Sequence, residues 1–227
     1  APYAAGKNRT RKGSGFNRRP MTGVKGFVLK VTLWLPAAFA AWYYLSILHV
    51  APISWMTGLL LGGLFPDLIS GVHQTGNMIE ITTNLDLALF QPAAGVQGGV
   101  IAFDLNPLIY GYGLPLLTGL ILASPGDIEA KVFRIVAGGL VLLPFQAWGV
   151  SCDALKTLYF NLGPQVAQAA RSSAGVPPDV VALAYQLGYL ILPAVTPVLC
   201  WIAMHRDFIG RLAPRLGQID EPDDRAS

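Results

Sequence analysis

Hydrophobic residues run in long blocks along this chain, separated by short polar, Gly-rich or Pro-rich intervals. Four blocks, residues 27–48, 107–124, 132–152 and 180–203, are 18 to 24 residues long. At 1.5 Å of rise per residue they make helices of roughly 27–36 Å, enough to cross a hydrocarbon layer of about 30 Å. A fifth block, 53–65, has 13 residues and lies between Pro52 and Pro66. Its roughly 20 Å of helix is short for a span, so it reads as an interfacial or re-entrant helix on the outer side.

After the fifth block the pattern changes to alternation. Ile79, Ile81, Thr83, Leu85 and Leu87 alternate with Glu80, Thr82, Asn84, Asp86 and Ala88, and Ile101, Phe103 and Leu105 again share one face. Period two with β-branched residues is a strand signal. The intervening "QPAAGVQGG" is a Pro- and Gly-rich connection. A β-hairpin over 77–105 follows. Two strands alone are marginal in water, so its apolar face must rest on the 53–65 helix or on the span ends. Such a hairpin either caps the bundle and nothing more, or offers an edge to which a partner adds a strand. Farther on, Leu155, Leu158, Tyr159 and Leu162 recur at spacings of three and four. That predicts a short amphipathic helix on the outer leaflet, ended by Gly163-Pro164.

Charge decides the solvent. Of 227 residues 53% are hydrophobic and 13% charged, and 31–130 is a stretch of a hundred residues without Lys or Arg. A soluble domain carries about a quarter charged residues, so lipid is the solvent here. Lys7, Arg9, Arg11, Lys12, Arg18, Arg19 and Lys25 crowd the segment 1–26. Lys131 and Arg134 follow the second span, and Arg206, Arg211, Arg215 and Arg225 fill 205–227. The other long connections hold only Lys156 and Arg171. By the positive-inside rule both tails and the middle loop are cytoplasmic. The predicted fold is an α-helical integral membrane protein with four transmembrane helices in 27–204. Both termini are cytoplasmic, and a short extracytoplasmic interfacial helix and β-hairpin lie on the far side. The 22-residue first block is too long for a signal-peptide core and reads as an uncleaved anchor. Its basic tail is a mobile partner for anionic headgroups of the lipid bilayer, and no nucleic acid is expected as a partner.

Candidate chemistry adds little. Each span holds an internal proline (Pro36, Pro115, Pro144, and Pro193 with Pro197) and small residues that let helices approach. Counted by depth, Tyr112, Gln146 and Gln186 fall at one outer level, with Tyr185 and Tyr189 near, opening toward a lip of Asp104, Asn106 and Tyr110. This cluster is either interhelical glue with interfacial tyrosines, or the lining of a peptide- or lipid-binding pocket. A reactive site fits poorly: there is no cysteine at its centre and no cation to activate a nucleophile. Glu80 and Asp104 could work as paired carboxylates, but nothing in the sequence fixes them together. Cys152 and Cys200 fall toward opposite ends of their spans, and His49, His73 and His205 are scattered. Neither a metal site nor a cofactor is predicted, and the chain reads as a non-enzyme. A small transporter is disfavoured, because the spans carry no intramembrane charge and no inverted repeat. Asn106-Pro107 also serves as N-cap and first-turn pair of the second span.

The order of elements, with "FDLNPLIYGYGLP" opening the second span, resembles the exosortase and archaeosortase family of membrane transpeptidase-like proteins. In that family a cysteine in an Ala-Cys-Ser-Gly-like signature opens the corresponding helix, and a later Arg and His complete the site. Here Phe103, Asp104, Leu105 and Asn106 stand where the cysteine signature would fall, with no matching Arg and His. The chain is most similar to the exosortase H-associated membrane proteins, whose span begins with the same kind of "NPLxYGYGLPLL" run; the resemblance covers roughly 33–123. It implies a non-catalytic accessory protein of a bacterial inner membrane. Such a protein assists processing and sorting of surface proteins with a C-terminal Pro-Glu-Pro-type signal, by docking the enzyme or the substrate helix. Asp104, Asn106, Tyr110, Tyr112, Gln146, Gln186 and Glu80 would then form the contact region. The competing class is a structural subunit of another inner-membrane assembly, such as a pilus, secretion, respiratory or photosynthetic complex.

Overall fold

The structure, a computed structural model, describes residues 24–87 and 99–210. The basic tail before Val24, most of the Pro- and Gly-rich connection and the tail after Gly210 lie outside the described residues.

Helix α1 (Val24–Tyr44) is followed after a single residue by α2 (Ser46–Leu64). Leu45, at φ −95° and ψ 10°, breaks the helical run. The first span therefore stops short of 48, and the outer helix starts well before 53. Pro52 lies inside α2 rather than at its edge. A proline removes one backbone bond and can kink a helix without ending it. Here tertiary packing holds the helix together around it: Ser46, Val50, Ile53, Ser54, Thr57 and Leu61 form one buried stripe. The opposite face is apolar and exposed, with Leu48 at 72% and Trp55 at 65%.

The stripe packs under a sheet of three antiparallel strands in the order β1-β2-β3: β1 (Ile69–Thr75), β2 (Met78–Asp86) and β3 (Val100–Leu105). The hairpin read from the sequence is β2 and β3, with Ile79 opposite Leu105 and Ile81 opposite Phe103. Strand β1 is an addition. It joins β2 through Gly76-Asn77, where Gly76 has φ +62°, the left-handed first position that a two-residue hairpin loop requires. On the inner face Ile79, Ile81, Ile101 and Leu105 join Ile53, Leu61, Val150, Leu158 and Tyr159 in one core. Each such side chain stabilises by about 1.5–3 kcal/mol.

The next span is two pieces, α3 (Leu108–Gly111) and α4 (Gly113–Ala123), joined at Tyr112. Helix α5 (Ile128–Lys156) runs without interruption into a π-helical turn, Thr157–Asn161. Together they make 34 residues, about 50 Å, which overshoots a bilayer by roughly 20 Å. Leu155, Leu158 and Tyr159 thus do not lie on a leaflet in a separate amphipathic helix. They extend α5 into the cap and are buried there against the sheet, α2 and α6 (Pro164–Ala174). Gly163 comes before α6 rather than after an interfacial helix. The last span is α7 (Pro178–Gln186), a second π-helical turn, Leu187–Ile191, and α8 (Leu192–Met204).

Four described helices are long and apolar enough to cross a membrane: Val24–Tyr44, Ser46–Leu64, Ile128–Asn161 and Pro178–Met204. The set differs from the predicted one. Ser46–Leu64 qualifies, while Leu108–Ala123 is a shorter apolar helix. That shorter helix is nonetheless central, since α4 packs along α1, α5 and α8. Below the cap the buried core thins to Leu117, Ile121 and Leu142, with Trp201 and Met204 against them. There the ends of four helices meet. Phe27 stacks on Trp201 at 5.6 Å, the Trp201 indole N–H donates to Ser124 Oγ at 2.9 Å, and Lys131 Nζ donates to the Leu122 carbonyl at 3.0 Å. Lys25, Lys30, Lys131, Arg134 and Arg206 gather at this end, opposite the sheet.

Candidate functional site

The cap presents its polar residues in two places. On the outward face of the sheet, register puts His73 of β1 beside Glu80 of β2, and Glu80 beside Asp104 of β3. Two carboxylates directly opposite each other repel, and neither forms an ion pair among the described residues. The pairing of Glu80 with Asp104, left open by the sequence, is thus made by strand register. Asn106 follows immediately and is exposed; its side-chain oxygen accepts from the Leu108 N–H at 3.0 Å, which closes the start of α3.

The second place is buried, where α3, α5 and the π turn of the last span meet. Tyr110 is 1% exposed and lies flat on Gly149: a Cβ there would come within 2.4 Å of the ring. Asp153 and Tyr185 are its polar neighbours. Asp153 pairs with Lys156 at 3.1 Å, and the Lys156 ammonium lies 4.8 Å from the centre of the Tyr185 ring. Tyr185 stacks on Tyr189 at 5.6 Å, and Tyr189 meets Tyr110 edge-on at 6.3 Å. The π turn is what brings Tyr189 here, with Gly188 pressed on the Gly149 backbone. π-Helical turns occur often at functional sites.

Gln146 is 4% exposed, and both of its amide atoms are without a partner among the described residues. It lines a cavity of about 10 Å³ with Tyr110, Gly113 and Pro193, a volume at the threshold for one water. Tyr112 points the other way, to a surface concavity shared with Ile109, Tyr189 and Leu190. Gln186 is exposed. The predicted cluster therefore divides: Glu80 with Asp104 outside, Tyr110 with Gln146 inside, Tyr112 on the flank beside Tyr189, and Gln186 apart from all of them. Asp153 and Lys156 were not among the sequence candidates. Their signal is an acid and a base three apart at the end of an apolar block, facing tyrosines one span away.

Chemically the inner network neutralises its own charge, since Asp153, the one buried carboxylate among the described residues, pairs with Lys156. Both cysteines are free, Cys152 buried and Cys200 half-buried. Among the described residues no three His, Cys, Asp or Glu side chains converge as metal ligands. At the basic end, His205 Nδ1 meets the Trp201 carbonyl at 3.1 Å and Nε2 meets Arg134 at 3.3 Å. Burial pushes the His205 pKa below the usual imidazole value; the Trp201 carbonyl opposes that, and the Arg134 and Lys131 charges add to it.

No curated relative and no solved structure matches the chain. Residues 21–208 match the family described as exosortase H-associated membrane protein. That match takes in every element from α1 to α8, and the chain belongs to this family of membrane proteins.

Proposed function

We propose that this protein is a non-catalytic accessory subunit of exosortase H, docking the enzyme through the outward face of its sheet. The family description supplies the association with exosortase H. The observation that carries the docking surface is the Glu80–Asp104 pair. A like-charge pair held in register costs the isolated chain stability, by about 0.2–1 kcal/mol, and a cationic partner surface would relieve that cost. Asn106 and the Tyr112 concavity extend the same lip toward the membrane.

In this reading the chain lies in a bacterial inner membrane with both termini cytoplasmic. Lys25, Lys30, Lys131, Arg134 and Arg206 share one end of the bundle, as the positive-inside rule asks, which leaves the sheet and its carboxylates outside. The apolar exposed face of α2, with Trp55 and Leu48, then faces lipid. Held this way, the protein supports processing and sorting of surface proteins without performing the cleavage.

Co-purification of the full chain with an exosortase H-type enzyme tests this. Glu80→Lys with Asp104→Lys is expected to reduce recovery of the enzyme at least several-fold while the variant keeps its elution volume. Undiminished recovery by a folded double variant overturns the assignment.

A further inference from the structure

The bundle below the cap contains a groove of about 710 Å³ between α1, α4, α5 and the start of α2, mostly apolar, with Trp42 and His49 at its far end. Its size is that of a site for a small amphiphile, roughly 300–1,000 Å³. Trp34 and Leu122 line its basic end, Ala37, Ala41 and Gly139 open its middle, and Pro52 marks its far end. From Trp34 in α1 to Leu45, the residue that ends that helix, one wall is twelve residues long, roughly 16 Å over eleven rises. That is about the hydrocarbon depth of one leaflet, half of roughly 30 Å. A transmembrane segment needs twice that length; an acyl chain does not.

Two lysines flank the basic end. Lys30 lies one turn before Trp34 on the same stripe of α1 and is exposed. Lys131 reaches from α5 to the carbonyl of Leu122, itself a groove residue. Neither forms an ion pair among the described residues. Asp127, just before α5, and Glu129, in its first turn, are exposed, and neither pairs with Lys30 or Lys131. Lys131 also adds positive charge near the N-terminus of α5, whose backbone dipole already favours an anion, and Asp127 makes no side-chain cap there. An apolar slot one leaflet deep, closed at the headgroup level by two unneutralised cations, is complementary to one kind of molecule.

We propose that this groove holds an anionic phospholipid, its acyl chain along α1 and its phosphate between Lys30 and Lys131. The inference is independent of the enzyme-docking surface on the sheet and stands if that reading fails.

Native mass spectrometry and thermal melting of the full chain in a neutral detergent test it, with phosphatidylglycerol, phosphatidylcholine and inorganic phosphate as probes. Phosphatidylglycerol is expected to remain bound and raise the melting temperature, with phosphatidylcholine weaker and inorganic phosphate without effect. Lys30→Gln and Lys131→Gln should each lower phosphatidylglycerol retention about fivefold. Both are polar substitutions at the rim, so the fold is kept. Ala41→Trp, which fills the slot, should abolish retention of both lipids. Equal binding of the two lipids, unmoved by the lysine variants, overturns the headgroup assignment. A response to inorganic phosphate equal to that of phosphatidylglycerol overturns the lipid. Retention unchanged in Ala41→Trp, or a partner helix cross-linking to Ala41→Cys in place of lipid, overturns the groove.

Discussion

Gly149→Ala is the sharpest test of the buried site. An added Cβ would stand 2.4 Å from Tyr110 Cδ1 and 2.9 Å from Cγ, well inside ordinary carbon contact of about 3.5–4.0 Å. Tyr110 has nowhere to go, being 1% exposed and met edge-on by Tyr189. On another side Gly188 already crowds the Gly149 backbone, so α5 cannot retreat toward the last span. Overpacking of this kind costs about 1–3 kcal/mol, and the rigid ring places it near the upper figure. The better helix propensity of alanine returns up to about 1 kcal/mol, leaving a net loss of roughly 1–2 kcal/mol. Gly139 is the internal control. It lies in the same helix, but its added Cβ meets only Leu114 Cδ1, at 3.4 Å. Gly139→Ala should therefore be neutral or stabilising. In thermal melts followed by tryptophan fluorescence, Gly149→Ala should fall by roughly 2–8 °C at about 2–4 °C per kcal/mol, with Gly139→Ala level or higher. Equal melting of the two variants would refute the contact between Tyr110 and Gly149.

Other perturbations follow from the same geometry. Asp153→Ala leaves the half-buried Lys156 without its partner and should cost about 3 kcal/mol, whereas Asp153→Leu with Lys156→Met should cost less than the single change in a double-mutant cycle. Glu80→Gln, by removing like-charge repulsion, should raise the melting temperature slightly, by the equivalent of about 0.2–1 kcal/mol, while weakening recovery of the enzyme. His205 has a folded-state pKa below its unfolded value near 6.5. Its contribution to stability is thus complete above about pH 6.5 and is lost as pH falls, because only the unfolded chain takes up the proton there. Melts at pH 7.5 and 5 should show a larger drop for the wild type than for His205→Gln.

The apolar blocks were legible because a bilayer demands length, and the alternation of 78–86 and 100–105 because a one-sided sheet demands period two. Strand β1 was not, since Gly71, His73 and Gln74 interrupt any alternation; its one clear signal was Gly76-Asn77, a two-residue hairpin loop ahead of a strand already recognised. Helix α2 was truncated at Pro52 because proline ends many helices, and only its buried stripe against the sheet shows why this one continues. The end of α5 was hidden for a related reason. A rule that stops a span at one bilayer thickness turns Asp153 and Lys156 into loop residues, when the sheet and α6 supply the burial that extends the helix past the lipid. Tyr110 and Tyr112 are two apart and look alike in sequence. Gly149 draws one inside, and nothing short of the packing separates them.

The two halves of the molecule are held by different means. In the cap, eighteen buried residues among those described, from α2, the sheet, α3, α5, α6 and α7, form one cluster. In the bundle below, the corresponding cluster is three residues, and close approach at Gly119 and Gly138 replaces side-chain burial. Lipid tails are as apolar as leucine, so the bundle gains little from excluding them, and its helices close on one another where Leu35 packs on Gly119 and Leu117 on Gly138. The cap carries its own hydrophobic core and can keep the Glu80–Asp104 face in fixed register while the bundle exchanges neighbours. That division suits the docking role proposed above: a sheet face held in register, and a loosely filled bundle whose groove is open to what surrounds it.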